Sequence, residues 1–381
     1  MSSLSFQEIV DGAREATGGL PDPDSDSWRE GLEILLADHA AEQCLSERGW
    51  QILRSRYVSA LASRMRVDAY LRDNPQILKA PVVAPIVILG LVRTGTTLVS
   101  YLMNENPQHR SLLRWEPYNA VPPAAPGALT TDARCIAEKA NDQRMIEGNP
   151  EGVKTHFEPA DGPTECVHLL AQDFRSMMFM ALTATPRYAD WIMQCDMRSA
   201  YEHRKRVLQI LQSTNSGTWV LKMPSDAVFI DALVETFPDA RLIWTHRDPV
   251  TAFASSMNMR GTSTRIFNQD IPRDYMAEKF PAQLAAHVLR PLRFAQQHPD
   301  RLYHLYYKEV MRDPIAAMQA TYAWLGEDWL PATETGMQRW LAENPQNKFG
   351  RHEYALEDWG LTAPQVTESV ADYLAVHGTR L

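Results

Sequence analysis

Gly90-Leu-Val-Arg-Thr-Gly95-Thr96-Thr97 is the stretch whose residue types and spacing point most directly to chemistry. Its glycines let the backbone curl until successive N–H groups point inward. A helix opening at Thr96 would add its positive N-terminal dipole, and together these features hold a phosphate or another anion. Thr96 and Thr97 bring hydroxyl donors. The frame is GxxxxGxT, that of a phosphate loop, with one departure. Thr96 stands where a nucleoside triphosphatase has the lysine that reaches the β- and γ-phosphates, and a cation stands earlier, at Arg93. Such a loop holds an anion but lacks the group that handles a γ-phosphate, which counts against a Mg-ATP kinase.

A loop of this kind works only between a strand and a helix. Ile86-Val87-Ile88-Leu89 before it is a short apolar run of the type expected for a fully buried parallel strand. Thr96–Asn104 after it reads as a helix with Leu98, Tyr101 and Leu102 on its apolar side. Thr218–Lys222 and Arg241–Thr245 read as further buried strands, with a helix between them from Ser225 or Asp226 to Phe237. Leu302–Tyr306 reads as the last strand, and Asp313-Pro314 opens the helix behind it. Strands alternating with helices predict an α/β fold: a phosphate-loop-type parallel sheet covered on both faces.

Two helical regions flank this frame. Residues 1–80 form an N-terminal helical arm with a turn-rich break at Gly18–Asp26. Trp50, Leu53, Tyr57, Leu61 and Met65 make one amphipathic face, expected to pack on the following domain or on a second subunit. Residues 81–381 form the α/β domain, with a mostly helical, Met-rich insertion over 118–213 on its acceptor side. Phe174, Met177, Met178, Phe179, Met180, Trp191, Met193 and Met197 gather in that insertion. They suit either a pocket for a lipophilic alcohol or phenol or, as is commoner, plain helix-packing core.

Composition sets bounds. The 381 residues are 45% hydrophobic and 22% charged, ordinary globular values that argue against disorder. A net charge of −9 offers no basic field for nucleic acid or an anionic membrane, so an anionic ligand must be held by a few placed cations. Cys44, Cys135, Cys166 and Cys195 are spaced too widely for a metal knuckle or a redox pair, and so few cysteines fit a reduced cytoplasmic setting. The longest apolar stretch, Ala80–Val92, falls short of the roughly 20 residues of a spanning helix, and no signal peptide is evident. The histidines look scattered and no metal-ligand set stands out, so no metal is expected.

Val92-Arg93-Thr94-Gly95-Thr96-Thr97 resembles the PRSGTT loop by which sulfotransferases that use 3′-phosphoadenosine-5′-phosphosulfate (PAPS) bind the 5′-phosphosulfate, with Val92 where that family often has proline. Downstream, Trp244–Ser256 resembles the family's 3′-phosphate motif, in which an arginine after a strand and a serine eight residues later clamp the phosphate. Arg247 and Ser255 have that spacing. Val220-Leu-Lys222-Met-Pro224, Phe237-Pro-Asp-Ala240, Asp161-Gly-Pro-Thr-Glu165-Cys166 and Arg351–Gly360 are similar to stretches of bacterial sulfotransferases.

The resemblance implies a PAPS-dependent sulfotransferase acting on a hydroxyl of a small molecule or lipid, with PAP (adenosine 3′,5′-bisphosphate) as the second product. Arg93, Thr94, Gly95, Thr96 and Thr97 would hold the phosphosulfate, and Arg247 and Ser255 the 3′-phosphate. Lys348 and Arg351 would add contacts from a C-terminal loop. Lys222 and Arg93 would neutralise charge on the sulfuryl group and bridging oxygen. The base implied by similarity to tyrosylprotein sulfotransferases is Glu116, in Arg114-Trp-Glu116-Pro117, and a carboxylate beside a tryptophan suits that role. The cytosolic branch uses a histidine, which makes His156 the second candidate and Glu165 the third. Two other readings stay open: a nucleotide or small-molecule kinase on the same loop, and a non-catalytic adenosine-bisphosphate-binding protein. A homodimer through the N-terminal helices also stays open.

Overall fold

Ile86–Gly90 (β1) is buried at every position because it runs through the centre of a parallel sheet. Its companions in this computed structural model are His109–Ser111 (β2), Thr218–Lys222 (β3), Arg241–His246 (β4) and Leu302–Tyr306 (β5), in the order β2-β3-β1-β4-β5. Every pairing is parallel. The structure describes residues 4–41, 44–148, 157–345 and 355–381.

The continuous apolar runs of the central strands follow from having a core on each face. Val87, Leu89, Trp219, Leu221, Leu242 and Trp244 point into the larger core. Their alternates Ile86, Ile88, Val220 and Ile243 point into a second one, closed by Val99, Leu102 and Met103 of helix Thr96–Asn104 (α4). Helix Pro314–Leu325 adds Met318 and Tyr322 to that second layer, and its N-terminus is capped by the Asp313 carboxylate on the Ala316 N–H at 3.0 Å.

The N-terminal arm is three helices, Phe6–Ala16 (α1), Ser27–Ala41 (α2) and Glu47–Asp73 (α3). Ile9, Val10, Trp28, Leu32, Leu53, Tyr57, Leu61 and Met65 are all buried in the larger core, so the arm's apolar face packs within its own chain. A buried ion pair, Arg64 of α3 with Asp173 of the insertion, ties the two helical regions together.

Two elements differ from expectation. The helix between β3 and β4 is split into a 3-10 turn, Pro224–Ala227, and a helix, Ile230–Thr236. Asp226 sits in the 3-10 turn before the break, fully buried, accepting from Tyr201 Oη at 2.6 Å and from Arg204 Nη1 at 2.8 Å. Edge strand β2 was not anticipated, because His109-Arg110-Ser111 carries no apolar run.

Candidate active site

The phosphate loop leaves the C-terminal end of the central strand, where open parallel sheets place their ligands. Gly90 has φ +142°, and a Cβ there would sit 2.7 Å from the Thr245 carbonyl of the neighbouring strand. Gly95, at φ +91°, packs under the Tyr307 ring, which a Cβ would meet at 2.9 Å. Between them Arg93 adopts φ +69°, a left-handed conformation that costs a side-chain-bearing residue about 1–3 kcal/mol. Gly95 precedes α4 without a side-chain cap, so no side chain caps the N–H groups of the helix's first turn, and they can meet an anion.

Neighbouring side chains hold this geometry. Thr94 Oγ1 donates to the Leu91 carbonyl at 2.6 Å and lies 2.6 Å from Thr245 Oγ1. Thr94 is therefore buried and engaged with the fold: it braces the loop rather than presenting a hydroxyl. Arg93 Nε donates to Ser255 Oγ at 3.1 Å. Arg247 donates from Nη1 to the Arg93 carbonyl at 2.8 Å, and its guanidinium lies 4.3 Å from the Tyr307 ring centroid. No carboxylate pairs with Arg247 among the described residues.

A cavity of about 620 Å³ opens on this loop. Arg93, Gly95, Thr96, Thr97, Arg247 and Tyr307 form the phosphate-loop part of its wall. Glu165 and Ser225 also line it, and Met177, Met178, Met259 and Leu341 give it an apolar side. The fold thus brings the two sequence-distant motifs together, with Arg93 and Arg247 in one cavity wall and Ser255, outside the lining, hydrogen-bonded to Arg93.

Lys222 ends β3, is almost wholly buried and does not itself line the cavity. Its Nζ lies 2.8 Å from Glu158 Oε1 and 3.3 Å from Glu165 Oε1. Burial works against the ammonium charge, but the two carboxylates outweigh it and hold the pKa above the usual lysine range. Glu165 is placed there by register: it forms a parallel bridge with Lys222, and the Cys166 N–H donates to the Lys222 carbonyl at 3.0 Å.

Glu116 is placed differently from the expectation for a base. It is 0% exposed and does not line the cavity. One carboxylate oxygen takes a hydrogen bond from Arg110 of β2, and the other accepts from the Leu113 N–H at 2.8 Å. The physical reason is edge strand β2, which sets the Arg110 guanidinium beside the carboxylate. His156, Lys348 and Arg351 lie outside the described residues. Of the Met and aromatic group in the insertion, Met177 and Met178 line the cavity, while Phe174, Phe179, Met180 and Met197 are buried in the larger core.

Several site residues were not legible in advance. Tyr307 follows the last strand at its C-terminal end, a position that could have flagged it. Glu158, Arg260 and His287 carry no local signal. The histidines are also less scattered than they look, since His246, His304 and His377 bring ring nitrogens within 4.8 Å of one another, a set able to hold a metal ion. Most of those nitrogens already engage their surroundings, His246 with His304 and Tyr373 at 3.0 Å each and His377 Nδ1 with Tyr306 at 2.8 Å, while His377 Nε2 has no partner among the described residues. Burial lowers the pKa of all three, which accounts for the cluster as a neutral hydrogen-bonded core.

Residues 85–331 match the Sulfotransferase family. The crystal structure of sulfotransferase STF9 from Mycobacterium avium superposes with a TM-score of 0.92 at 38% identity, covering 98% of this chain and 96% of that one. Sulfotransferase STF1 from Mycobacterium tuberculosis H37Rv superposes with a TM-score of 0.86 at 26% identity, covering 97% and 99%. A curated relative, omega-hydroxy-beta-dihydromenaquinone-9 sulfotransferase Stf3 of Mycobacterium bovis, is 23% identical over 72% of this chain and 70% of its own length.

Proposed function

The chain belongs to the sulfotransferase family, and on that premise we propose that it carries the sulfuryl group of PAPS to a hydroxyl of a small-molecule or lipid acceptor. The observation that carries this reading is the convergence of the lysine-free phosphate loop, Arg93 and Arg247 on one cavity wall that Glu165 shares. The first-turn N–H groups of α4 and the hydroxyls of Thr96 and Thr97 suit the 5′-phosphosulfate. The Arg247 guanidinium, with no carboxylate partner among the described residues, suits the 3′-phosphate, and Ser255 holds Arg93 in position for the same ligand. Bound PAPS would supply the sulfuryl group for an in-line displacement.

Lys222, paired with Glu165 of the cavity wall, would neutralise negative charge on the leaving phosphate of bound PAPS. Glu165 takes the acceptor's proton, since among the carboxylates first considered it is the one in the cavity wall. Glu158 keeps Lys222 charged and oriented while Glu165 turns to the acceptor. A lipid-like acceptor fits the apolar side of the cavity and is in keeping with the name of the curated relative. No helix among the described residues is long and apolar enough to cross a membrane.

Calorimetric titration with PAP, run beside ATP·Mg²⁺, tests the donor assignment. PAP binding that weakens about tenfold to a hundredfold in Arg247→Ala is expected, the worth of charged hydrogen bonds. Binding of ATP·Mg²⁺ alone would overturn the reading in favour of a kinase.

A further inference from the structure

Arg260 and His287 line the same cavity from two different helices, Pro249–Thr264 and Arg273–Gln297. Both are nearly inaccessible, 6% and 1% exposed, and neither Arg260 Nη1 nor His287 Nε2 has a hydrogen-bond partner among the described residues. Buried polar atoms are almost always satisfied, and a buried guanidinium is usually paired with a carboxylate. Arg260 instead rests over the Phe280 ring, 4.3 Å from its centroid. Two residues of one cavity wall that carry such atoms, unused by the donor chemistry proposed above, call for a ligand.

Their hydrogen-bonding characters differ. His287 Nδ1 lies 2.7 Å from the Gln283 carbonyl, so it carries the proton and donates, which leaves Nε2 as a bare acceptor. Burial holds that imidazole's pKa down to about 4, with the Arg260 charge acting in the same direction, so the ring is neutral at ordinary pH. Arg260 Nη1 is a donor only. The wall therefore offers one charged donor and one neutral acceptor. Around them Met177, Met178, Met259 and Met311 supply polarizable thioethers, which pack well against aromatic faces.

We infer that Arg260 and His287 form an acceptor-recognition subsite for a hydroxyaromatic ring, whose phenolic oxygen, distinct from the hydroxyl that loses its proton to Glu165, accepts from Arg260 while its O–H donates to His287. Other oxygen chemistries fit less well. A carboxylate would satisfy Arg260 but set lone pairs against Nε2. A ketone would leave Nε2 bare, and an ammonium group would be repelled by Arg260. A phenol satisfies both. The inference deepens the proposed function and rests on the cavity being where the acceptor binds.

Equilibrium binding of 2-naphthol, 2-methoxynaphthalene and naphthalene to the full-length protein tests it, with and without PAP. The wild-type protein should bind them in that order, each step worth about fivefold to tenfold. His287→Phe should bring 2-naphthol down to its methyl ether. Arg260→Met should bring 2-methoxynaphthalene down to naphthalene and leave 2-naphthol one step above both, through its O–H bond to His287. Equal binding of the three compounds by the wild-type protein would overturn the subsite, as would an unchanged ladder in both variants. PAP titration of each variant shows whether the fold survives the substitution. Where it does not, the wild-type ladder decides alone. Absence of PAP binding by the wild-type protein, with the ladder intact, would sink the donor assignment and leave the subsite standing.

Discussion

The two sides of the cavity treat polar side chains in opposite ways. Around the phosphate loop, Thr94 is held by Thr245, Arg93 by Ser255, and Arg247 by the Arg93 carbonyl and the Tyr307 ring. On the apolar side, Arg260 Nη1 and His287 Nε2 have no partners among the described residues, and the wall also carries adaptable methionines. A multiply charged anion is bound well by donors already fixed in place, because no reorganisation has to be made on binding. A variable apolar molecule is better served by a soft wall with a few polar atoms awaiting it. The rigid side sets what is common to the chemistry, and the open side sets what is chosen.

A second contrast lies within the carboxylates. Glu165 and Glu116 each pair with a buried cation, but Glu165 stands in the cavity wall and Glu116 does not. Substitutions at these positions break or sharpen both comparisons. Glu165→Gln should lower turnover by about 10²–10⁴-fold with PAP affinity nearly intact, because Glu158 still holds Lys222; full turnover in this variant would move the base elsewhere. Glu116→Gln should act on folding instead, costing about 3–5 kcal/mol by leaving Arg110 buried without its counter-charge. Urea midpoints read that loss, and kcat per folded molecule should be unchanged. A kcat collapse without a stability loss would reverse the two assignments. Met178→Ala should give the smallest effect, a rise of about fivefold in acceptor KM from roughly 1 kcal/mol of lost apolar contact, with kcat and PAP affinity steady. An equal fall in kcat would mean that the apolar side takes part in the transition state.

Much of this architecture was legible from local sequence. The apolar run before Gly90 marks β1, Thr218–Lys222 marks β3, and Leu302–Tyr306 marks β5, each at its observed bounds or within one residue. Asp313-Pro314 marks a helix start through a carboxylate cap and a fixed proline φ. The unmarked elements lack such signals. β2 is three residues long with a central arginine, and the break at Phe229 depends on where Asp226 finds Arg204.

Sequence by itself determined the parts whose physics is local: the curled glycine loop, the helix start behind it, the apolar strands and the missing phosphate-loop lysine. Each depends on dihedral freedom, capping or burial within a few residues. Tertiary structure decided which charged groups meet. Glu165 reaches the cavity through its bridge to Lys222, and Glu116 is withdrawn from it by an arginine on an edge strand. Arg260 and His287 share a wall only because two helices pack side by side. Charge pairing and cavity lining depend on distances between segments far apart in the chain, and those distances are fixed by sheet register and helix packing rather than by any residue's neighbours in sequence.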